Sequence, residues 1–200
     1  MKYLKYLLGV IAVLALIFFG RGLMTPNVSY STEITVDKSI EEAWAVMNDQ
    51  SKTKEWLKDL TDIEHVSGER NSVGAVTKYT FEQNGESSTI LETLKAFREN
   101  EHVAMDFDME GVMHMDYQMN LSEKDGKTRI ESSTVTTGEG LFMRSMVSFM
   151  KGTMLAQEDE NLSNLQALIN NNTTDYFPKP EPAIEVAEAL DAAATEETQE

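Results

Sequence analysis

Residues 103–121 read VAMDFDMEGVMHMDYQMNL, and the spacing of their apolar side chains decides the fold. Val103, Met105, Phe107 and Met109 alternate with Ala104, Asp106 and Asp108. After Glu110-Gly111 a second alternation puts Met113, Met115, Tyr117, Met119 and Leu121 on one face. A period of two on both sides of an Xaa-Gly turn predicts a β-hairpin, because successive strand side chains point to opposite faces. Five of the nine inward residues are methionine. The thioether side chain is flexible and polarizable, and suits a surface that accepts apolar partners of variable shape. The hairpin face therefore reads either as the wall of an adaptable apolar pocket or as ordinary core packing.

Working outward, the same periodicity extends in both directions. Toward the C-terminus, Asp125-Gly126 turns the chain into a strand over 128–136, with Ile130, Ser132, Thr134 and Thr136 on one face. Toward the N-terminus, Asn84-Gly85 is a strong hairpin turn between strands at 73–82 and 88–97. Ala75, Thr77, Tyr79 and Phe81 share a face of the first; the face of the second is ambiguous. A short strand covers 63–67, and VSYSTEITV at 28–36 alternates as a first strand. Between them, Ser39-Ile40-Glu41-Glu42 has the spacing of a capping box, followed by Ala43, Trp44 and Met47 at helical spacing. A second short helix is expected around 52–60. From Leu141 to Asn170 there is no proline and the period is helical. Met143, Val147, Met150 and Met154 form one stripe, with Phe142, Met146 and Phe149 beside it. So apolar a helix should lie across the sheet with its first half well covered.

Three segments differ in composition. Residues 1–24 carry a charge-free apolar run from Tyr6 to Gly20 with basic flanks. Those fifteen residues span only ~22 Å as a helix, short of a ~30 Å hydrocarbon core. Flanking Leu4, Leu23 and Met24 complete a span if Lys5 and Arg21 snorkel. No A-x-A cleavage pattern follows, which favours an uncleaved signal-anchor over a removed signal peptide or a buried helix. Lys2, Lys5 and the amino terminus outnumber Arg21, so the following domain is expected on the extracytoplasmic side, periplasmic in a Gram-negative bacterium. Residues 25–171 form the folded domain. Residues 172–200 hold three prolines and eight acids and read as a disordered acidic tail, with a weak helix conceivable at 183–194.

The net charge is −17. Eight acids and Lys179 give the tail −7, and Lys2, Lys5 and Arg21 give the first segment +3, leaving −13 on the domain. That excludes nucleic acid as a partner, since phosphate neutralisation needs clustered Lys and Arg. There is no cysteine, which excludes disulfides, thiolate catalysis and Cys-based metal sites.

The order of elements and three strings resemble the START-like, or SRPBCC, superfamily, and within it the polyketide cyclase/dehydrase and lipid-transport group. The strings are ITVDKSIEEAWAVMND (34–49) with Trp56 soon after, TLKAFRENEHVAMDF (93–107), and the helix end ENLSNLQALI (160–169). The resemblance covers residues 28–170. It implies an α+β helix-grip fold: a curved antiparallel sheet of about seven strands around a long C-terminal helix, here preceded by the apolar N-terminal helix. It also implies an apolar cavity between sheet and helix. Hairpin methionines 105, 109, 113, 115 and 119 are then expected to face helix methionines 143, 146, 150 and 154.

Candidate ligand-binding residues follow on that expectation: Tyr79, Met105, Phe107, Met109, Met113, Met115, Tyr117, Met119 and Thr134 from the sheet, and Met143, Met146, Met150 and Met154 from the helix. Thr77, Ser132 and Thr136 are further polar candidates. The expected partner is a hydrophobic small molecule, with the membrane engaged through the N-terminal helix; no cofactor is expected and no protein partner is identified. An enzyme of the cyclase or dehydratase type would need a general acid or base beside the cavity. Glu92, mid-strand, is the best acid if its face is inward; His65 could face either way, His114 should point outward, and His102 should be exposed. The three histidines lack H-x-H or H-E-x-x-H spacing, which argues against a metal site. A protein-interaction module using the acidic tail is the remaining alternative.

Overall fold

Strand β1 (Asn27–Val36) buries Val28 and Val36 and turns every second side chain inward, as its alternation requires. It is followed in this computed structural model by α2 (Ile40–Asn48), a 3₁₀ turn (Gln50–Lys52) and α3 (Thr53–Trp56). Then come β2 (Leu60–Ser67), β3 (Val76–Gln83), β4 (Glu86–Arg98), β5 (His102–Met109), β6 (Met113–Lys124), β7 (Lys127–Gly138) and the long helix α4 (Gly140–Asn170). An N-terminal helix α1 (Lys2–Met24) precedes them. The structure describes residues 2–178. The possible helix at 183–194 lies outside them.

The seven strands form one antiparallel sheet in the order β1-β7-β6-β5-β4-β3-β2. All links but one are between chain neighbours, closed by short turns except for the eight-residue β2–β3 connection (68–75). Asn84 and Gly85 both have positive φ, 53° and 82°, the left-handed pair a two-residue hairpin needs; Asp125-Gly126 repeats it at 55° and 72°. The exception is β1, which pairs β7 from Asn27↔Thr137 to Val36↔Thr128 and so brings the first strand beside the last.

The ambiguity of β4 has a cause in its register. Leu91 pairs Asp108 and Leu94 pairs Met105, but Ala96 pairs Ala104, so a bulge lies at Lys95. The bulge shifts the inward set from Ile90, Glu92 and Leu94 to Phe97. A strand with Leu91 on the outside, 43% exposed, then shows no single period.

The core lies between the sheet and the second half of α4. Leu162, Leu165 and Ile169 are fully buried against Val36, Ala43, Val46, Ile130 and Leu121. Trp44 meets Phe97 edge-on at 5.2 Å. Ser39 caps α2 by accepting from the Glu42 amide at 3.3 Å. The reciprocal half of the expected capping box is replaced: Glu42 Oε1 accepts from Lys38 Nζ at 2.7 Å and from Asn172 Nδ2 at 3.1 Å. Lys52 Nζ also donates to Asn172 Oδ1 at 2.9 Å, and Tyr176 OH donates to Asp49 Oδ2 at 2.8 Å. The first residues of the compositional tail are thus clasped onto α2 and the 3₁₀ turn.

The first half of α4 departs from expectation. Leu141, Phe142, Met146, Phe149 and Met150 are 38–56% exposed, not covered. Helix α1, with 22 residues (Tyr3–Met24) long and apolar enough to cross a membrane, packs only its last turns here. Phe18 stacks on Phe149 with centroids 5.7 Å apart and lies 5.6 Å from Phe142. Arg21 sits over the Phe149 ring at 5.1 Å and donates to Ser148 Oγ at 3.3 Å. Gly22 permits the crossing: a Cβ there would come within 2.2 Å of Ser145 Oγ.

Candidate ligand cavity

Between the sheet, α2, α3 and the middle of α4 lies a cavity of about 390 Å³. Sheet side chains reach it because the inward sets of β3 to β7 face α4. β3 supplies Thr77, Tyr79 and Phe81, β4 Ile90, Glu92, Leu94 and Phe97, β5 Val103, Met105 and Phe107, and β6 Met115, Tyr117 and Met119. Tyr30 and Thr134 come from β1 and β7, Met47 from α2, Trp56 from α3 and Glu158 from α4. One end is polar, with Asn48, Gln50, His65, Arg70 and Asn71; Arg70 Nη1 donates to Gln50 Oε1 at 2.8 Å.

Seven of the thirteen candidate residues line this space: Tyr79, Met105, Phe107, Met115, Tyr117, Met119 and Thr134. Met109 and Met113 pair with each other at the tip of the hairpin and are not on the wall. Met143, Met146, Met150 and Met154 are also absent from it. They belong to the half of α4 that lies beside α1, so the expected face-to-face arrangement of methionines does not form. Aromatic rings fill that role instead. Phe107 meets Tyr79 at 6.5 Å and Tyr117 at 5.9 Å, both edge-on, and Trp56, Phe81 and Phe97 extend the apolar wall.

Two carboxyl groups sit among these rings. Glu92 faces inward beside Tyr79, and burial pushes its carboxyl above the usual glutamate range. Burial, with the neighbouring Glu92, likewise pushes the Tyr79 hydroxyl up. Glu158 accepts a hydrogen bond from Tyr117 OH at 3.0 Å. Burial raises the Glu158 carboxyl despite the hydroxyls of Ser132 and Tyr117 near it, and nearby Asp159 pushes in the same direction. Burial also raises Tyr30 and Tyr117, each with Glu158 adding to the effect. Trp56 Nε1, Ser132 Oγ and Thr136 Oγ1 are buried without a hydrogen-bond partner among the described residues. The cavity can thus offer an apolar guest a few polar contacts: two buried carboxyl groups, three phenols and an indole N–H.

Glu158 escaped the sequence reading because GlnGluAspGluAsn at 157–161 looks like a wet surface. A signal existed: 155, 158, 162, 165 and 169 fall on one helical face, and the acid occupies an apolar row. His65 lines the polar end, its Nε2 2.9 Å from Gly68 O. His102 is half-buried, where exposure was expected, because its Nδ1 is tied to Asn120 Oδ1 at 2.8 Å. His114 points outward. There it joins Asp106 and Asp116, the one group among the described residues whose ligand-type atoms all lie within 4.8 Å of one another. The histidine spacing gave no sign of this because the three meet across β5 and β6. Lys95 Nζ already pairs with Asp106 at 2.5 Å.

Solved structures with this architecture cover three quarters of the chain. The Zhui aromatase/cyclase from a Streptomyces species is 11% identical with a TM-score of 0.63, over 76% of this chain and 99% of that one. Ara h 8.0201 is 17% identical with a TM-score of 0.59, over 73% and 99%. A Staphylococcus aureus protein of unknown function is 15% identical with a TM-score of 0.58, over 74% and 98%. At these identities the likeness establishes the helix-grip fold. No curated protein sequence matches the chain. A family model does match, over residues 27–170, and with its helix-grip sheet and α4 the chain belongs to the polyketide cyclase/dehydrase and lipid transport family of SRPBCC-type proteins.

Proposed function

We propose that this protein is a membrane-tethered binding module for a hydrophobic small molecule, lipid-like or polyketide-like, held in the cavity between the sheet and α4. The observation that carries this reading is the cavity itself. Its volume of about 390 Å³ falls in the usual range for ligand pockets, and its walls are apolar rings and thioethers with sparse polar groups. Filling a space of that size with nothing forfeits dispersion contacts on every wall; a guest restores them. The length and apolarity of α1 support its reading as the tether, and the excess of basic charge before it supports an extracytoplasmic domain. The test is equilibrium binding of a fluorescent fatty-acid or sterol analogue to the full chain in nanodiscs. Met115→Trp and Thr77→Phe, which fill the cavity, should each weaken binding at least tenfold relative to the wild-type chain. Equal binding by all three would place the probe in the bilayer and overturn the reading.

The buried acids favour one further reading, a cyclase- or dehydratase-type enzyme acting on an apolar substrate. A general acid needs a carboxyl raised above its ordinary range, and burial raises both Glu92 and Glu158 beside phenols. Glu92→Gln or Glu158→Gln should then abolish turnover while leaving probe binding intact. Loss of neither would leave the binding module alone.

A further inference from the structure

The exposed face of α4 is the largest feature that the cavity does not explain. We infer that the first half of α4 lies in the membrane interface and seats one end of the sheet on the lipid; this rests on the tether reading above. Phe142, Met146 and Met150 recur at four-residue spacing, so they form one stripe, with Phe149 beside it and all four 38–56% exposed. A soluble surface does not ordinarily leave such a row in water.

Three observations name lipid as the occupant. The first is depth. Only the last turns of α1, Phe18 to Gly22, pack on α4, against Leu141 to Phe149; the earlier residues stand clear of the domain, with Leu7 to Ile17 largely exposed. A span of 22 residues is ~33 Å long, so its last turns leave the hydrocarbon where the α4 stripe meets them. The second is charge. From Leu141 to Ala156 there is no acid in a chain of net charge −17, and the only charges are Arg144 and Lys151. That stretch can approach lipid phosphates; the acids that bound it are Glu139, at the start of α4, and Glu158-Asp159-Glu160 in its second half. The third is the crossing. Gly22, Ser145 and Ser148 meet there, small residues that let two helices approach closely, as in membrane helix pairs.

The seating has a consequence for the cavity. Asn27, Gly138, the β5–β6 turn and the Asn84-Gly85 turn all lie at the α4-start end of the sheet. The cavity residues nearest that end are Phe81 and Ile90, with Phe107 and Met115 behind. The polar end, with Gln50, Arg70 and Asn71, is at the other. That end of the cavity, with Phe81 and Ile90, then faces the bilayer.

The native chain lacks cysteine, so single cysteines placed in the full chain can carry a polarity-sensitive fluorophore. Labels at 142, 146 and 150 report the stripe, a label at 167 the solvent-facing side of the second half of α4, and a label at 8 the tether. In phosphatidylcholine nanodiscs, labels at 142, 146 and 150 should be quenched by lipid carrying bromine near the headgroup at least twice as strongly as the label at 167. Aqueous iodide should quench the label at 167 preferentially. If the label at 8 is lipid-quenched but those at 142, 146 and 150 follow iodide, the seating is wrong and the tether stands. If the three are shielded from both quenchers, a second copy or another protein covers the stripe, and the seating is again wrong. If the label at 8 follows iodide, both readings fall.

Discussion

Glu158 shows how one side chain can carry more information than its neighbourhood. It stands in the most acidic part of α4, yet its carboxyl turns into the cavity and takes a hydrogen bond from Tyr117. Burial raises the carboxyls of both Glu158 and Glu92, so the folded state holds these protons more tightly than the unfolded chain. Their contribution to stability is then fully present at pH values below the ordinary glutamate pKa near 4.5, and is lost as pH rises through the higher folded values. Glu158→Gln removes the charge and keeps the shape. Measured at pH 8 by thermal unfolding, it should stabilise the protein by about 1 kcal/mol, or about 3 °C in Tm, and flatten the decline of Tm above pH 5. Met119, 2% exposed, makes the opposite point: Met119→Lys would bury an unpaired charge and should cost about 3 kcal/mol or more in a denaturant titration. The inward position of Met119 was legible from alternation alone. That of Glu158 was legible only by following the row 155-158-162-165-169, because its chemical type argued for water.

At the scale of elements, strands and turns were readable because each has a local cause: a period of two, an Asn-Gly or Asp-Gly turn, a serine cap. Features set by distant partners were not. The bulge in β4 follows from its pairing with β5, and the first half of α4 meets the last turns of α1 and leaves its apolar stripe exposed. Gly138 is one such long-range constraint. A Cβ there would lie within 2.4–2.5 Å of backbone atoms of Met143 and Arg144, so the β7–α4 corner admits no side chain. Gly138→Val should therefore force the corner open and cost about 2–4 kcal/mol, measured against a mild Met115→Leu control. The clasp at Asn172–Tyr176 is the second. Asparagine and tyrosine in a proline-bearing stretch gave no hint that they would bridge Lys52, Glu42 and Asp49. Truncation after residue 171 should lower stability by about 1–2 kcal/mol, whereas truncation after 178 should leave it unchanged. The hydrogen bond from Lys38 chiefly holds Glu42 below the usual range, as that from Ser51 does Asp49. The clasp should therefore loosen as pH falls through those lowered values, which hydrogen exchange at 172–176 would record.

For the molecule as a whole, antiparallel strands closed by tight turns and a thirty-one-residue helix leave few solutions other than a sheet curled around that helix. The two halves of α4 then do different things. The second half closes the core with Leu162, Leu165 and Ile169; the first stands beside α1 with an apolar face outward. Between them, Glu158 and the rings of β3 to β6 bound the cavity. An apolar guest in that cavity is what gives the rest of the molecule its proposed role. Native mass spectrometry of the full chain, released gently from detergent, tests this most directly. A discrete adduct of one hydrophobic molecule per chain, absent from Met115→Trp, is the predicted result; a bare chain, or the same adducts on both proteins, would contradict it.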